Sequence, residues 1–209
     1  MGFLSSYMSV RSQVRSSVED LLPLLPRYQV LVMGHSFGGA FAVHAAADLQ
    51  VHSSTDPVLS QPVALYTLGA PRVGDRNLAQ WTAQVLASGP HYRITHGRDP
   101  VPRMPSVALG FLHAPADVFY RTIDNSSMTV CDDSSTSESN ECSNSMLDAS
   151  TADHFKYLGE DTGCSCDGCQ SYRLEFVENQ ATTPKWLYAR LAWDHLKSST
   201  GMLNTTAVV

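Results

Sequence analysis

Apolar positions along the chain switch between two periods. Phe3, Tyr7, Val10, Val14, Val18 and Leu21 recur at three- and four-residue steps, which predicts one amphipathic helix stopped near Pro23 and Pro26. Residues 28–33 are mostly branched or aliphatic, the pattern of a buried strand. Residues 37–49 are rich in alanine and predict a helix able to pack closely on a sheet. The stretch 52–62 is polar and turn-rich and reads as a loop. A second buried strand is expected over 63–68, ended by Gly69-Ala70-Pro71, then a helix over 75–86 and a third strand over 91–95. Strands alternating with helices argue for an α/β fold, a mainly parallel sheet covered on both faces.

The pattern weakens in the second half. Residues 107–112 and 118–123 are strand candidates, expected to form a hairpin at one edge. Residues 125–144 are polar and serine-rich and contain Cys131 and Cys142. A short helix is expected to begin at 151, with His154 in its first turn. Near the end, Thr183-Pro184 is a helix-start signal, and Trp186, Ala189, Trp193 and Leu196 form a helical stripe. That helix either docks on the body or meets a partner.

Chemistry enters between the first strand and its helix, at Gly34-His35-Ser36-Phe37-Gly38. Strand, Gly-x-Ser-x-Gly turn and helix in that order are the nucleophile elbow of α/β-hydrolases. Side chains flanking the serine are expected to clash, so glycine is expected to be required at 34 and 38. The Phe37 N–H, at the helix start, can face a developing oxyanion. Serine needs a histidine to take its proton and an acid to orient that histidine, in the chain order Ser, acid, His. Asp99, just beyond the third strand and stiffened by Pro100 and Pro102, suits the acid; its position reads equally well as an ordinary Asp-Pro turn. His113, His154 and His195 follow it. His154, at a loop-to-helix junction, suits the base best, although position alone does not decide it.

Composition narrows the setting. The chain has 209 residues, 43% hydrophobic and 16% charged, with a formal net charge of −6, as expected for one globular domain with a real core. Its 14 Lys and Arg are scattered, which argues against a nucleic-acid surface. No apolar run reaches the ~18 residues of a membrane span, and the first residues lack the basic region and apolar core of a signal peptide. Met1-Gly2 followed by Ser6 matches a loose myristoylation pattern. Of five cysteines, Cys164, Cys166 and Cys169 are spaced like a zinc knuckle, but no Cys or His follows at the usual metal spacing. No metal or organic cofactor is implied.

Several spaced motifs in one register resemble the fungal class 3 (triacylglycerol) lipases and the related feruloyl esterases. They are Gly2-Phe3-Leu4-x-Ser6-Tyr7, Gly34-His35-Ser36-x-Gly38-Gly39-Ala40, Tyr66-Thr67-x-Gly69-x-Pro71-Arg72-Val73-Gly74-Asp75 and Arg93-x-Thr95. Asp99-x-Val101-Pro102, Gly110-Phe111-Leu112-His113-Ala114, Cys142-Ser143-Asn144-Ser145 and Asp153-His154-x-x-Tyr157-x-Gly159 complete them. The resemblance implies a catalytic triad of Ser36, Asp99 and His154 and a loop disulfide between Cys131 and Cys142. It implies residues 1–164 as an α/β-hydrolase domain truncated at its N-terminus, without the first strands, the lid and a second oxyanion donor, followed by an extension over 165–209. The helix from Phe3 is then internal to the fold, against myristoylation.

The resulting expectation is a serine ester hydrolase acting on acylglycerols at a lipid–water interface. A feruloyl esterase, or a non-catalytic remnant that binds lipid or a partner, is the alternative. Secretion is implied by the family and by the sequons at Asn125 and Asn204.

Overall fold

Residues 2–25, 27–55, 62–122, 128–134 and 136–162 are described by the computed structural model. Cys164, Cys166, Cys169, the stripe around Trp186 and Trp193, and both sequons lie outside these residues.

The chain opens with α1 (Phe3–Met8) and α2 (Arg11–Leu21). They replace the single helix expected from periodicity: the chain turns at Ser9 and Val10, whose N–H groups bond back to Ser6 and Tyr7 carbonyls. Both are tied to α3 (Phe37–Thr55) through one carboxylate. Asp48 accepts hydrogen bonds from the Tyr7 hydroxyl at 2.8 Å and from the Arg11 and Arg15 guanidiniums at 2.6–3.0 Å. The helix α3 runs six residues past the expected end at 49.

Strand β1 (Leu31–His35) lies two to three residues later than the apolar run suggested. It is followed by β2 (Ala64–Leu68), β3 (Gly74–Asp75), α4 (Arg76–Val85) and β4 (His91–His96). Asp75 caps α4 by accepting the Leu78 N–H at 2.9 Å, which supplies one acceptor for the unpaired donors of the first turn. Then come β5 (Phe111–Leu112), β6 (Asp117–Tyr120), β7 (Met128–Val130), α5 (Thr151–His154), β8 (Lys156–Tyr157) and β9 (Glu160–Asp161).

The central sheet has the order β1-β2-β4-β6-β7; the first four strands are parallel and β7 is antiparallel to β6. The expected hairpin of 107–112 with 118–123 does not form. Residues 107–109 make a 3-10 turn, β5 pairs antiparallel with β3, and β6 lies inside the main sheet. That pairing is long-range, so local alternation carried no signal for it.

Period-two alternation splits the core between the two faces. Leu65, Val63, Val30 and Val32 pack with Ala42, Ala46 and Leu49 of α3 and with Val14 and Val18 of α2. Ala64, Tyr66, Ile94, Val118 and Tyr120 face the other way; among the described residues Tyr157 and Leu158 cover them, where a helical layer was expected. From β4 onward the first face carries buried polar groups. Buried Arg93 donates to Asp133 at 2.8 Å and to the Ala114 carbonyl at 2.9 Å, and Thr95 and Ser143 donate to Asp117 at 2.6 and 2.9 Å. A disulfide joins Cys131 to Cys142, 11 residues apart.

Candidate active site

The candidate nucleophile's position is decided by backbone. Ser36 sits between β1 and α3 with φ +54°, a left-handed conformation that costs a non-glycine residue about 1–3 kcal/mol. It is held there by its own N–H, which donates to the Leu68 carbonyl at 2.9 Å. A Cβ on Gly34 would lie 2.2 Å from the Gly38 carbonyl oxygen, and one on Gly39 would lie 2.6 Å from Ala70 Cβ. A Cβ on Gly38 meets nothing within 4 Å. The steric requirement therefore falls on 34 and 39, not on 34 and 38 as expected: it is the helix start, packed on the neighbouring Ala70, that is crowded. Phe37 is the first residue of the 19-residue α3, where N–H groups have no acceptor within the helix.

The candidate base arrives from 118 residues away. His154 closes α5, capped by Ser150, and its Nε2 accepts from Ser36 Oγ at 2.8 Å. Its Nδ1–H donates to Asp99 Oδ2 at 2.9 Å. Both residues are buried, and the Asp99 side chain is fully so. The Asp99 carboxylate is satisfied on every side: Oδ1 accepts the Val101 N–H at 2.8 Å, and Oδ2 also accepts the Tyr157 hydroxyl at 2.6 Å. Gly69, at φ +56°, leaves room for this pair; a Cβ there would lie 2.8 Å from both Asp99 Oδ2 and the Tyr157 oxygen.

Sequence reasoning gives Tyr157 and His35 no chemical part, although both lie inside the quoted motifs. Burial first, then the Asp99 charge, pushes the Tyr157 hydroxyl well above its ordinary range, so it stays a donor. His35, lowered by burial, donates through Nε2 to the His154 carbonyl at 2.9 Å, with the Thr162 hydroxyl 3.2 Å away. It holds the His154 backbone through this bond and lies beside its ring, with centroids 4.8 Å apart.

Of the other candidate histidines, His195 lies outside the described residues. His113 is buried away from the serine: its Nε2 donates to the Pro102 carbonyl at 2.8 Å, and burial and then Arg93 hold it well below its usual range. Among the described residues no group of His, Cys, Asp or Glu is arranged to hold a metal ion, and no helix is long and apolar enough to cross a membrane. Chemically, the arrangement can deprotonate a serine hydroxyl, store the proton on a carboxylate-paired imidazole and return it to a leaving group.

The pattern of one protein family, lipase (class 3), matches residues 1–109, just over half of the chain. The chain belongs to the class 3 lipases. A lipase of Rhizomucor miehei is 41% identical over 164 residues, covering 78% of this chain and 43% of that protein. A lipase of Rhizopus oryzae is 37% identical over 168 residues, covering 79% and 40%. Among solved structures, Rhizomucor miehei triacylglyceride lipase superimposes with a TM-score of 0.68 at 37% identity, covering 77% of this chain and 59% of its own. A triacylglycerol lipase whose catalytic centre is described as a serine protease triad gives a TM-score of 0.69 at 36% identity. The α/β-hydrolase fold read from the sequence is thus borne out. This class 3 lipase chain spans about two-fifths of the length of the curated relatives it matches.

Proposed function

We propose that this chain carries the catalytic triad of a serine ester hydrolase whose substrates are acylglycerols. The observation that carries the reading is the continuous relay from Ser36 Oγ through His154 to Asp99, at 2.8 and 2.9 Å. Ser36 attacks the ester carbonyl while His154 takes its proton. Asp99, braced by Tyr157 and Val101, holds the imidazole in the tautomer with its proton on Nδ1 and stabilises the imidazolium. The Phe37 N–H supports the oxyanion. His154 then protonates the departing alcohol, and water releases the acyl group by the same route.

An apolar acyl chain is favoured by the surface beside the nucleophile. Phe37 is 54% exposed and makes edge contacts with Phe3 and Phe41, at ring-centroid distances of 5.0 and 4.7 Å. An aromatic ledge of this kind also suits work at a lipid–water interface. Secretion is supported by the Cys131–Cys142 disulfide and by the Penicillium camembertii relative, named as a secreted mono- and diacylglycerol lipase.

The test is turnover of a short-chain acylglycerol beside a feruloyl ester, by wild type and Ser36→Ala. Acylglycerol hydrolysis that vanishes in the variant is the expected result. Preference for the feruloyl ester would overturn the substrate assignment, and equal rates in both proteins would overturn the mechanism.

A further inference from the structure

The acid and the base sit on two different loops, and one side chain crosses between them. Arg103 ends the 3-10 turn Val101–Arg103 that follows Asp99. Its guanidinium donates from Nε to the Asp99 carbonyl at 3.2 Å and from Nη2 to the Arg98 carbonyl at 3.0 Å. The same group donates from Nη2 to the Asp148 carbonyl at 2.7 Å and from Nη1 to the Met146 carbonyl. Residues 146–148 lead directly into the Ser150 cap and α5, which ends in His154.

We infer that Arg103 is a positioning residue for the hydrolysis proposed above, stapling the Asp99 turn to the His154 loop through four backbone carbonyls. The planar guanidinium is suited to this task, because its fixed fork of five N–H donors can satisfy several acceptors at once, which a lysine ammonium on its flexible stem cannot do in the same geometry. The staple is supported from both sides. Ser150 N–H donates to the Arg98 carbonyl at 2.9 Å, and Arg98 N–H donates to the Asp153 carboxylate at 2.8 Å. Behind it, the Arg103 carbonyl accepts from Arg72, whose guanidinium is paired with Glu138 at 2.6 Å. Arg103 touches neither Ser36 nor any reacting atom. It acts only through the distance between Asp99 and His154, where a displacement of about 1 Å is enough to cost on the order of a hundredfold in rate.

The inference rests on the ester-hydrolase reading for its purpose, but its test does not need turnover. The Nδ1–H of His154, bonded to Asp99, gives a far-downfield proton resonance, assigned by its loss in His154→Gln. Wild type, Arg103→Met and Arg103→Lys are compared at a temperature well below each melting midpoint, with Arg15→Lys as a remote arginine control. The resonance is expected to broaden or disappear in Arg103→Met, to return only in part in Arg103→Lys, and to persist in Arg15→Lys. In active protein, kcat falls at least tenfold in Arg103→Met with KM unchanged, and free guanidinium ion restores part of it. An unchanged resonance in folded Arg103→Met would overturn the inference whatever the assay reads. Wild type that shows the resonance but hydrolyses no ester would count against the proposed function and leave the staple standing.

Discussion

The two flanks of the sheet hold the proposed catalytic groups by different means. On one side is β1, an edge strand among the described residues, with Met33 at 42% exposure. It is bordered by an apolar groove of about 360 Å³ lined by Val14, Val18, Leu21, Leu25, Val30 and Met33. On the other side, β4, β6 and the disulfide loop are cross-linked by buried Arg93, Asp117, Asp133, Arg72 and Glu138. The serine stands on the open flank and the acid and base on the braced one. The proposed nucleophile needs less from its surroundings, because a strained turn with glycine at 34 and 39, seated against Leu68 and Ala70 of the next strand and its turn, sets its place. Asp99 lies in a loop and His154 ends the short helix α5 that a loop delivers, and such segments hold an ångström-scale geometry only when polar groups elsewhere tie them down.

The largest effect expected from breaking this contrast is at the elbow. Gly34→Ala forces a Cβ to within 2.2 Å of a backbone carbonyl that cannot move without unwinding the start of α3. More than about 4 kcal/mol of stability, or the folded state itself, should be lost, as read by chemical denaturation.

Next is Glu138→Gln on the braced flank. It leaves the Arg72 guanidinium, with its side chain 2% exposed, without a counter-charge, and removal of one buried partner costs about 3–5 kcal/mol. Burial opposes the charge on Glu138, but the paired bonds from Arg72 outweigh it and hold the carboxyl well below the usual range. A carboxyl lowered in the folded state adds stability that is complete above its unfolded value, about pH 4–5, and is lost as the pH falls toward the native value. Melting midpoints measured from pH 7 to pH 3 should therefore drop on the acid side in wild type and drop less steeply in Glu138→Gln.

A smaller effect, read first in catalysis, is expected at Tyr157→Phe. Losing one charge-assisted bond to Asp99, worth about 1.5–3 kcal/mol, should lower kcat roughly tenfold or more while the fold persists. An unchanged kcat would remove Tyr157 from the account. The smallest effect belongs to the open flank. Met33→Lys on the edge strand should shift stability by no more than about 0.5 kcal/mol and reduce self-association seen by light scattering, since a charge on an exposed edge discourages strand pairing.

The same contrast explains what the sequence discloses. The elbow, its strand and its helix are local, so Gly34, Ser36 and the alanines of α3 announce them directly. Asp99 and His154 were reachable because mechanism demands an acid and then a histidine after a strand. The bracing was not. Glu138 and Asp117 are polar side chains buried, and Arg103 one half-buried, by contacts 22 to 66 positions away, and no periodicity marks them. Asp117 also opens β6, so an apolar count begins that strand one residue late and misses its place between β4 and β7. Likewise the polar turn of His52 and Ser53 hid the end of α3, which tolerates them on a partly exposed face.

Covalent trapping at Ser36 is the sharpest check on the proposed triad. A fluorophosphonate probe, followed by peptide mapping, should form one adduct on Ser36 in wild type. In His154→Gln, folded to the same melting midpoint, labelling should slow by about a hundredfold or more, the range lost when a general base is removed. An adduct on another residue, or equal labelling rates in the two folded proteins, would contradict the account.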